Sequence, residues 1–269
     1  MTVTDISETG TAETDEFEQG LAVALLEAAD DDHVMGNRLS DWTGVAPTVE
    51  EDVSISNIAQ DELGHAEGLY EEVADIVGTS LDQLAYQRSP GEFRNAQLVE
   101  REFGDWADTV VRQYFFDVAD AIRFEALLEG DLAEYDESLA GYLEKVDEEE
   151  EYHTEHGEVW LETLADETDG KEKVQRAIDE NWVDALAQFA STPHAVDFVG
   201  AGVYAASLED QRAQFVEGVT ATLDECGFEV PETDDGDVGA GRAGKHTEDL
   251  TALLEETREV RKQGVDVPA

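Results

Sequence analysis

Two copies of one short pattern, a glutamate followed three places later by a histidine, are the residues of this chain best suited to chemistry. They are Glu62 with His65 and Glu150 with His153. Positions three apart share one face of a helix, so each pair can offer a carboxylate oxygen and an imidazole nitrogen to the same metal ion. Both ligand types suit divalent iron. The pattern therefore favours metal coordination.

The spacing by itself is weak support, because the chain is strongly acidic. With 67 acidic residues among 269, an acid precedes a given histidine by three places roughly one time in four, and there are six histidines. Asp30 and His33 form a third such pair. The competing interpretation is a histidine that a neighbouring carboxylate satisfies inside an ordinary core.

The apolar residues around each pair are more informative, because they continue the same helical face in steps of three or four. Around the first pair they are Ile55, Ile58, Leu69 and Ile76. Around the second pair they are Leu139, Leu143, Val146, Gly157, Trp160 and Leu164. Both pairs are therefore expected where a bundle helix turns toward its core. Charged side chains are almost never fully buried there unless they are paired or bound to metal.

The periodicity predicts four long helices whose order suits an up-down bundle. They cover residues 16–42, 48–78, 105–129 and 131–165. Thr48 and Glu51 have the spacing of a capping box, and Gly78 is a good C-terminal stop. Asp105 is a candidate N-cap for the third helix.

The rest of the chain predicts accessory helices. They lie at about 172–190, 208–226 and 246–263. The expected domain organisation is an acidic disordered tail, a ferritin-like helical domain, an acidic Gly-rich linker, and a C-terminal helix and tail. In that order these segments are residues 1–15, 16–230, 231–245 and 246–269. The predicted fold class is all-α, a ferritin-like four-helix bundle with accessory C-terminal helices.

Two further acids complete a metal-binding set. Asp32 in the first predicted helix and Asp117 in the third each interrupt an apolar stripe. The six candidate ligands are Asp32, Glu62, His65, Asp117, Glu150 and His153. Four carboxylates and two imidazoles from four helices are the ligand set of a di-iron carboxylate site in a ferritin-like bundle. Four carboxylates also balance the charge of two Fe(II) ions.

Some neighbouring residues leave alternatives open. Asp32 follows two other aspartates, and on so acidic a chain it is also consistent with a solvated side chain. Glu149 is an alternative to Glu150, one residue off the stripe. We expect His33 and His156 to be exposed or to lie behind the ligands.

The charge balance excludes several classes of function. The net charge is −51 with only 16 lysines and arginines, so no basic stripe exists for nucleic acid. Periodic apolar residues argue against disorder, and the acidity is typical of haloarchaeal surfaces, whose self-repulsion molar salt screens. The lone Cys226 excludes an intrachain disulfide. No long apolar segment and no secretory signal occur, so we expect a cytoplasmic protein without a membrane span.

The scarce basic residues gather near the C-terminus. Five of the sixteen are Arg242, Lys245, Arg258, Arg261 and Lys262. One interpretation is a helix that balances its own acidic residues. The other is a docking surface for an acidic partner subunit.

Several stretches resemble the C subunits of phenylacetyl-CoA epoxidase. They include residues 104–117 with their Arg-Gln-Tyr-Phe run, 38–44, 57–61, 152–153 and the Gly-Lys-His-Thr-Glu run at 244–248. The resemblance extends over nearly the whole chain from about residue 20. The departures are the acidic tail, a longer turn at 130–138 and the acidic linker at 231–241.

The resemblance implies a ferritin-like fold and a place in a multicomponent monooxygenase. That enzyme epoxidises the ring of phenylacetyl-CoA with O2 and with electrons from a separate reductase. The implied di-iron chemistry belongs to a homologous catalytic A-type subunit, and the C subunit is its structural partner with a degenerate site. Here the A-type order of ligands (acid, Glu-x-x-His, Asp, Glu-x-x-His) can be matched to all six candidates.

The predicted function is therefore a structural and assembly subunit of that monooxygenase in aerobic phenylacetate catabolism, not catalytic alone. Its six candidate ligands leave two cases open, a di-iron site that is retained at full or partial occupancy and a site that holds no metal. The alternative is a self-sufficient ferritin-like di-iron oxidase or oxygenase. Iron storage is a third possibility, but the accessory C-terminal helices argue against a cage-forming subunit. Trp106 and Tyr114 are predicted to contact a partner outside the chain's own core.

Overall fold

The described part of the chain is helical throughout. The computed structural model describes residues 15–190, 196–232 and 240–265, and no strand occurs within these ranges. The long helices are α1 (Glu16–Ser40), α2 (Val49–Val77), α3 (Trp106–Leu128), α4 (Glu137–Ala165), α5 (Thr168–Leu186), α6 (Leu208–Cys226) and α7 (Glu248–Val265). Short helical turns lie at Gln83–Gln87, Pro90–Glu92, Gln97–Glu100, Leu132–Tyr135 and Ala187–Phe189. None of the described helices has the length and apolar character of a membrane span.

Capping residues fix the helix ends that the sequence predicts. Thr48 Oγ1 accepts the backbone N–H of Glu51 at 3.2 Å, and α2 ends at Gly78 in the left-handed conformation, with φ of 69°. Asp105 accepts the N–H of Asp108 at 3.1 Å at the start of α3. Each contact satisfies a backbone group that the helix leaves without an internal partner. The predicted boundaries of α2 and α3 are confirmed.

The predicted fourth helix is interrupted, so the expectation of one continuous helix over 131–165 is wrong. A single turn ends at Tyr135, and Asp136 then adopts an extended conformation, with φ of −147°. Its carboxylate accepts the N–H groups of Ser138 at 2.8 Å and Leu139 at 3.1 Å. This new N-cap starts α4, because a short polar side chain competes well for backbone donors.

Two compact units divide the chain, one within Met1–Glu102 and Ala240–Ala269 and the other within Phe103–Gly239. In the first unit α1 packs along α2, and α7 returns to contact α1. Every position of α1 from Gly20 to Gly36 is buried. The predicted domain division at residues 15, 230 and 245 stays a prediction, since residues 1–14 and 233–239 lie outside the described ranges.

In the second unit α3 packs against α4, α5 and α6. An aromatic cluster joins three of these helices. Phe115 of α3 meets the ring of Trp182 at 5.6 Å and that of Phe215 at 6.1 Å, and the last two stack at 5.9 Å. Aromatic pairs at these separations add to the stabilisation that burial provides. This cluster is part of the core of the second unit and packs α3 against α5 and α6.

Trp106 and Tyr114 belong to this unit's own interior, so the prediction that they contact a partner is wrong. The Trp106 ring meets the edge of Trp160 at 5.2 Å, and only 9% of Trp106 is exposed. Tyr114 is 1% exposed and packs against Gly157. Their apolar bodies are buried by neighbouring helices of the same chain, as large aromatic side chains usually are.

The three arginines near the C-terminus contact other residues of the first unit, whereas Lys245 and Lys262 are exposed, so the docking surface stays a prediction. Arg242 is buried, and Arg258 donates to the carbonyl oxygen of Tyr86 at 2.7 Å. Arg261 pairs with Asp82. The interpretation of a helix that balances its own acids holds for Lys262, which donates to Glu259 at 2.5 Å. The guanidinium groups mainly attach α7 to the rest of its unit.

Candidate metal centre

The first unit brings together three of the six predicted ligands. Asp32 lies on α1, and Glu62 and His65 lie on α2. One ligand atom from each lies within 4.8 Å of the other two, and no more than 3% of any of these side chains is exposed. We call this group the first donor set. Two carboxylates and one imidazole at this separation can share one divalent ion.

A glycine allows α1 and α2 to approach closely at this point. A Cβ at Gly36 would lie 2.9 Å from Leu63 Cγ and 3.0 Å from both Glu62 Cβ and the carbonyl oxygen of Ala59. Gly36 follows Asp32 by about one helical turn, so it lies on the same side of α1. The small residue therefore helps to place the Asp32 carboxylate next to α2.

The second unit holds the other three predicted ligands in the same way. Asp117 lies on α3, and Glu150 and His153 lie on α4, all with 0% exposure. One ligand atom from each lies within 4.8 Å of the other two. Nδ1 of His153 lies 3.5 Å from Oε2 of Glu150. We call this group the second donor set.

A polar residue behind the second donor set orients its aspartate. Nε2 of Gln113 donates to Oδ2 of Asp117 at 3.2 Å and lies 3.4 Å from Nδ1 of His156. His156 thus lies behind the ligands, as expected. Such outer contacts fix ligand orientation in metal sites. Gln113 was missed by sequence reasoning, although it precedes Asp117 by one helical turn.

Two of the alternatives for individual residues are resolved by burial. Asp32 has 0% exposure, so it is not a solvated surface aspartate. Glu149 pairs with Lys145 at 2.8 Å on a part-exposed face of α4, whereas Glu150 is buried. The phase of the apolar stripe therefore predicts the burial of Glu150, and its role as a ligand stays a prediction.

His33 is buried and lies outside both donor sets, so of the two positions expected for it, exposed or behind the ligands, the structure excludes the exposed one. Its ring meets the edges of Tyr70 at 6.0 Å and Tyr86 at 5.7 Å. Burial lowers the pKa of His33 to about 4, with Asp30 acting to raise the pKa and Arg88 to lower it. A neutral imidazole between two phenol rings is therefore part of the first unit's core.

Buried ion pairs next to the first donor set were not anticipated from the sequence. Asp30 pairs with Arg88, and Asp31 pairs with Arg242, all four being at most 2% exposed. Tyr70 Oη donates to Asp30 Oδ1 at 2.6 Å, and burial raises the pKa of Tyr70 well above its usual value. Basic residues are scarce in this sequence, so each arginine is a candidate partner for a buried carboxylate. This is the signal that could have predicted the two pairs.

The chemistry of both donor sets suits a first-row divalent ion. Each set offers two carboxylates and one imidazole, without thiolates that would favour zinc or an iron–sulfur cluster. Buried carboxylates require a compensating charge, and a divalent cation supplies it. The described residues therefore include two buried groups able to hold a metal ion.

Comparison with known proteins shows the family of this chain. The family model described as "Phenylacetic acid catabolic protein" matches residues 1–267. The chain belongs to the phenylacetic acid catabolic protein family. It is 32% identical over 244 residues to the C subunit of 1,2-phenylacetyl-CoA epoxidase from Escherichia coli (strain K12), an alignment that covers 90% of this chain and 96% of that protein. The family is ferritin-like, so the predicted resemblance and the all-α, ferritin-like fold class are confirmed.

Proposed function

We propose that this chain is the structural and assembly subunit of a multicomponent monooxygenase that epoxidises the ring of phenylacetyl-CoA in aerobic phenylacetate catabolism. The observation that carries the proposal is the match to an epoxidase C subunit along 90% of this chain and 96% of the relative. A match of that extent leaves no separate domain of the relative to account for its role. The partners are a homologous catalytic A-type subunit and further subunits that include a reductase.

The charge of the clefts in each unit supports an assembly role. A cleft of about 940 Å³ in the first unit includes the carboxylates of Asp41, Glu67, Glu71, Asp82 and Glu256 in its lining. Its one arginine, Arg261, already pairs with Asp82. Coenzyme A carries several phosphate charges, which such a lining repels.

The second unit has an equally acidic cleft. It measures about 440 Å³, and its acidic residues are Glu158, Glu162, Asp166 and Glu225. Phosphate-binding sites normally present lysine, arginine or helix N-termini to the anion. Neither of these two clefts, as the described residues line them, matches that chemistry, which agrees with a partner subunit as the site of the thioester.

We further propose that each donor set holds one iron ion, with one acid and one Glu-x-x-His pair as its ligands, so that the chain binds two irons in all. When bound, iron held by carboxylates and imidazole supplies O2 activation. The chain's own part is to bury the ligands away from water and to orient Asp117 through Gln113. The support is the identity of the six donors, four carboxylates and two imidazoles, and their burial.

Coexpression tests the assembly role. The chain should be produced with and without a catalytic A-type subunit and sized by light scattering after chromatography in molar salt. We expect a stable hetero-oligomer that contains both chains. A chain that stays alone beside that partner, at concentrations where it remains folded, would contradict the proposal.

One observation favours a second candidate function, a self-sufficient di-iron oxidase or oxygenase. All six donors are present and buried, whereas a purely structural subunit would tolerate their loss. Turnover by the Fe(II)-loaded chain alone, supplied with a chemical reductant, O2 and phenylacetyl-CoA, distinguishes the two. We expect no epoxide from the isolated chain and epoxide when the A-type subunit and the reductase are added.

A further inference from the structure

Three consecutive carboxylates of α1, those of Asp30, Asp31 and Asp32, are all fully buried. Successive residues of a helix point about 100° apart, so the three leave α1 in different directions. Each buried carboxylate needs a cation, hydrogen-bond donors or a metal to offset its desolvation. Asp32 lies in the first donor set, and its two neighbours, Asp30 and Asp31, form ion pairs with arginines elsewhere in the chain.

Asp30 is bound by Arg88 and Arg94, which follow α2 in the sequence, and by Tyr70, which lies on α2. Arg88 contacts both of its carboxylate oxygens, with Nη1 donating to Oδ2 at 3.0 Å. Tyr70 Oη donates to Oδ1 at 2.6 Å, and the backbone N–H of Arg94 donates to Oδ2 at 2.7 Å. The charge and the hydrogen-bonding capacity of Asp30 are thus satisfied by residues outside the first donor set.

Asp31 is held by a residue 211 positions later in the chain. Nη2 of Arg242 donates to Oδ2 of Asp31 at 2.6 Å, and the backbone N–H of Ala96 donates to Oδ1 at 2.7 Å. Nη1 of the same guanidinium donates to the carbonyl oxygen of Arg94 at 2.7 Å. With 1% exposure, Arg242 is a fully buried cation that pairs with the Asp31 carboxylate.

The segment that carries Arg242 is fixed against the loop after α2. Gly241 and Gly244 approach that loop so closely that a Cβ at either position would clash with a carbonyl oxygen, of Asn95 and Gly91 respectively. Gly244 also has a φ of 74°, which favours glycine. The guanidinium therefore reaches Asp31 from a backbone with little freedom to move.

His246 attaches the same segment at a second point. Its Nδ1 lies 2.7 Å from Oε2 of Glu100, and the N–H of Thr247 donates to Oε1 of that glutamate at 2.6 Å. This contact is made by the side chain of Glu100, at the end of the short turn Gln97–Glu100, and Asp31 takes no part in it. It provides a matched control, because a change at His246 loosens the segment without touching Asp31.

We propose that Arg242 is a positioning residue for the first donor set. By orienting and neutralising Asp31 it prevents rotation of α1 about its axis, and this keeps Asp32 turned toward Glu62 and His65. Asp30 with Arg88 provides the second fixed point. The inference rests on the proposed metal site. It adds the residue that keeps Asp32, the ligand on α1, turned toward the other two ligands.

The test uses the full chain in molar salt and Co(II) alone as the probe, because Co(II) reports ligand geometry by its visible absorption. Wild type is compared with Arg242→Met, Arg242→Lys, Asp31→Asn/Arg242→Met and the control His246→Gln.

We expect Arg242→Met to weaken binding of one Co(II) ion roughly 10- to 100-fold and to alter its spectrum, as loss of an outer contact does in other metal sites. Arg242→Lys should be intermediate. The double variant should recover toward wild type, because it removes the stranded charge and the introduced amide can still accept from the N–H of Ala96.

Thermal unfolding of each apo variant separates positioning from general stability. His246→Gln should lower the melting temperature yet keep the wild-type Co(II) spectrum. Wild-type affinity and spectrum in Arg242→Met, or equal perturbation by His246→Gln, would overturn the inference. If Arg242→Met does not fold, the spectrum of Arg242→Lys decides. A wild-type chain that binds no Co(II) would overturn the metal site itself, and the positioning role with it.

Discussion

Gly36 leaves no room for a side chain against Glu62, since a Cβ at position 36 would lie 3.0 Å from the Glu62 Cβ. Overpacking of this kind typically costs about 1–3 kcal/mol. We expect Gly36→Ala to destabilise the chain by that amount and to weaken metal binding, because α1 moves away from α2. Urea unfolding in molar salt and metal titration measure the two effects.

Gly64→Ala is the matched control for this change. Gly64 lies on α2 with nothing within 4 Å of the position a Cβ would take. Alanine is the better helix former, so this variant should gain up to about 1 kcal/mol. Equal effects of the two substitutions on stability would contradict the close crossing of α1 and α2.

Loss of either ligating histidine should reduce the iron content of the chain. We expect about two iron ions per wild-type chain, the number in ferritin-like di-iron sites, after anaerobic loading with Fe(II). His65→Ala and His153→Ala should each retain distinctly less, because a ligand is lost and a buried carboxylate is left with less compensation. His246→Gln, a change outside both donor sets and at a residue that contacts none of the six ligands in the bonds described above, is the control and should retain the wild-type content. Iron analysis after desalting measures this, and an iron-free wild type would contradict the centre.

The stability of the chain should depend strongly on salt. Acidic side chains crowd α4, where burial and then the charges of Glu125 and Glu150 raise the pKa of Asp147. The Debye length falls from about 10 Å at 0.1 M to about 3 Å at 1 M salt, so molar salt weakens this repulsion. Circular dichroism melts from about 0.1 to 3 M KCl should show a rising melting temperature. An unchanged melting temperature would argue against a surface adapted to high salt.

The thiol of Cys226 should react at higher pH than an ordinary cysteine. Burial raises its pKa, as do the neighbouring charges of Glu162, Glu158 and Glu225. The thiolate is the reactive form, so the midpoint of the alkylation rate against pH should lie above that of the urea-unfolded chain. Salt should lower the midpoint in part, because it screens the carboxylates but does not change burial. Coincident midpoints in the folded and unfolded chain would contradict this.

The local part of the candidate centre could be predicted from the sequence. Burial of Glu62, His65, Glu150 and His153 follows from their phase in apolar stripes, because a helix repeats its faces every three to four residues. All four are buried. The same reasoning predicts the ends of α2 and α3, since caps involve neighbours in sequence.

Helical periodicity could not predict contacts between residues that are distant in the sequence. The possibility that Asp32 is solvated came from its acidic neighbours, Asp30 and Asp31, which local composition treats as surface residues. They are buried because Arg88 and Arg242 reach them from 58 and 211 positions away. No periodicity relates positions so distant, and only the folded topology brings them together.

The contacts of single aromatic and basic residues were also poorly predicted. Trp106 was expected at a partner interface, yet it packs on Trp160 within the second unit. A stripe of apolar residues indicates that a face is covered but not whether the same chain or a partner covers it. The break at Asp136 was missed because one polar residue that caps a helix looks, in sequence, like an exposed residue within it.

The division of the chain has a consequence for its synthesis. The second unit is one uninterrupted stretch, Phe103–Gly239, whereas the first needs residues on both sides of it. On the ribosome the second unit can therefore fold while the first still waits for Arg242 to be translated. Until then Asp31 lacks its guanidinium, and a nascent chain that stops early exposes an unfinished α1 to chaperones and proteases. Completion of the first unit therefore requires translation to pass Arg242.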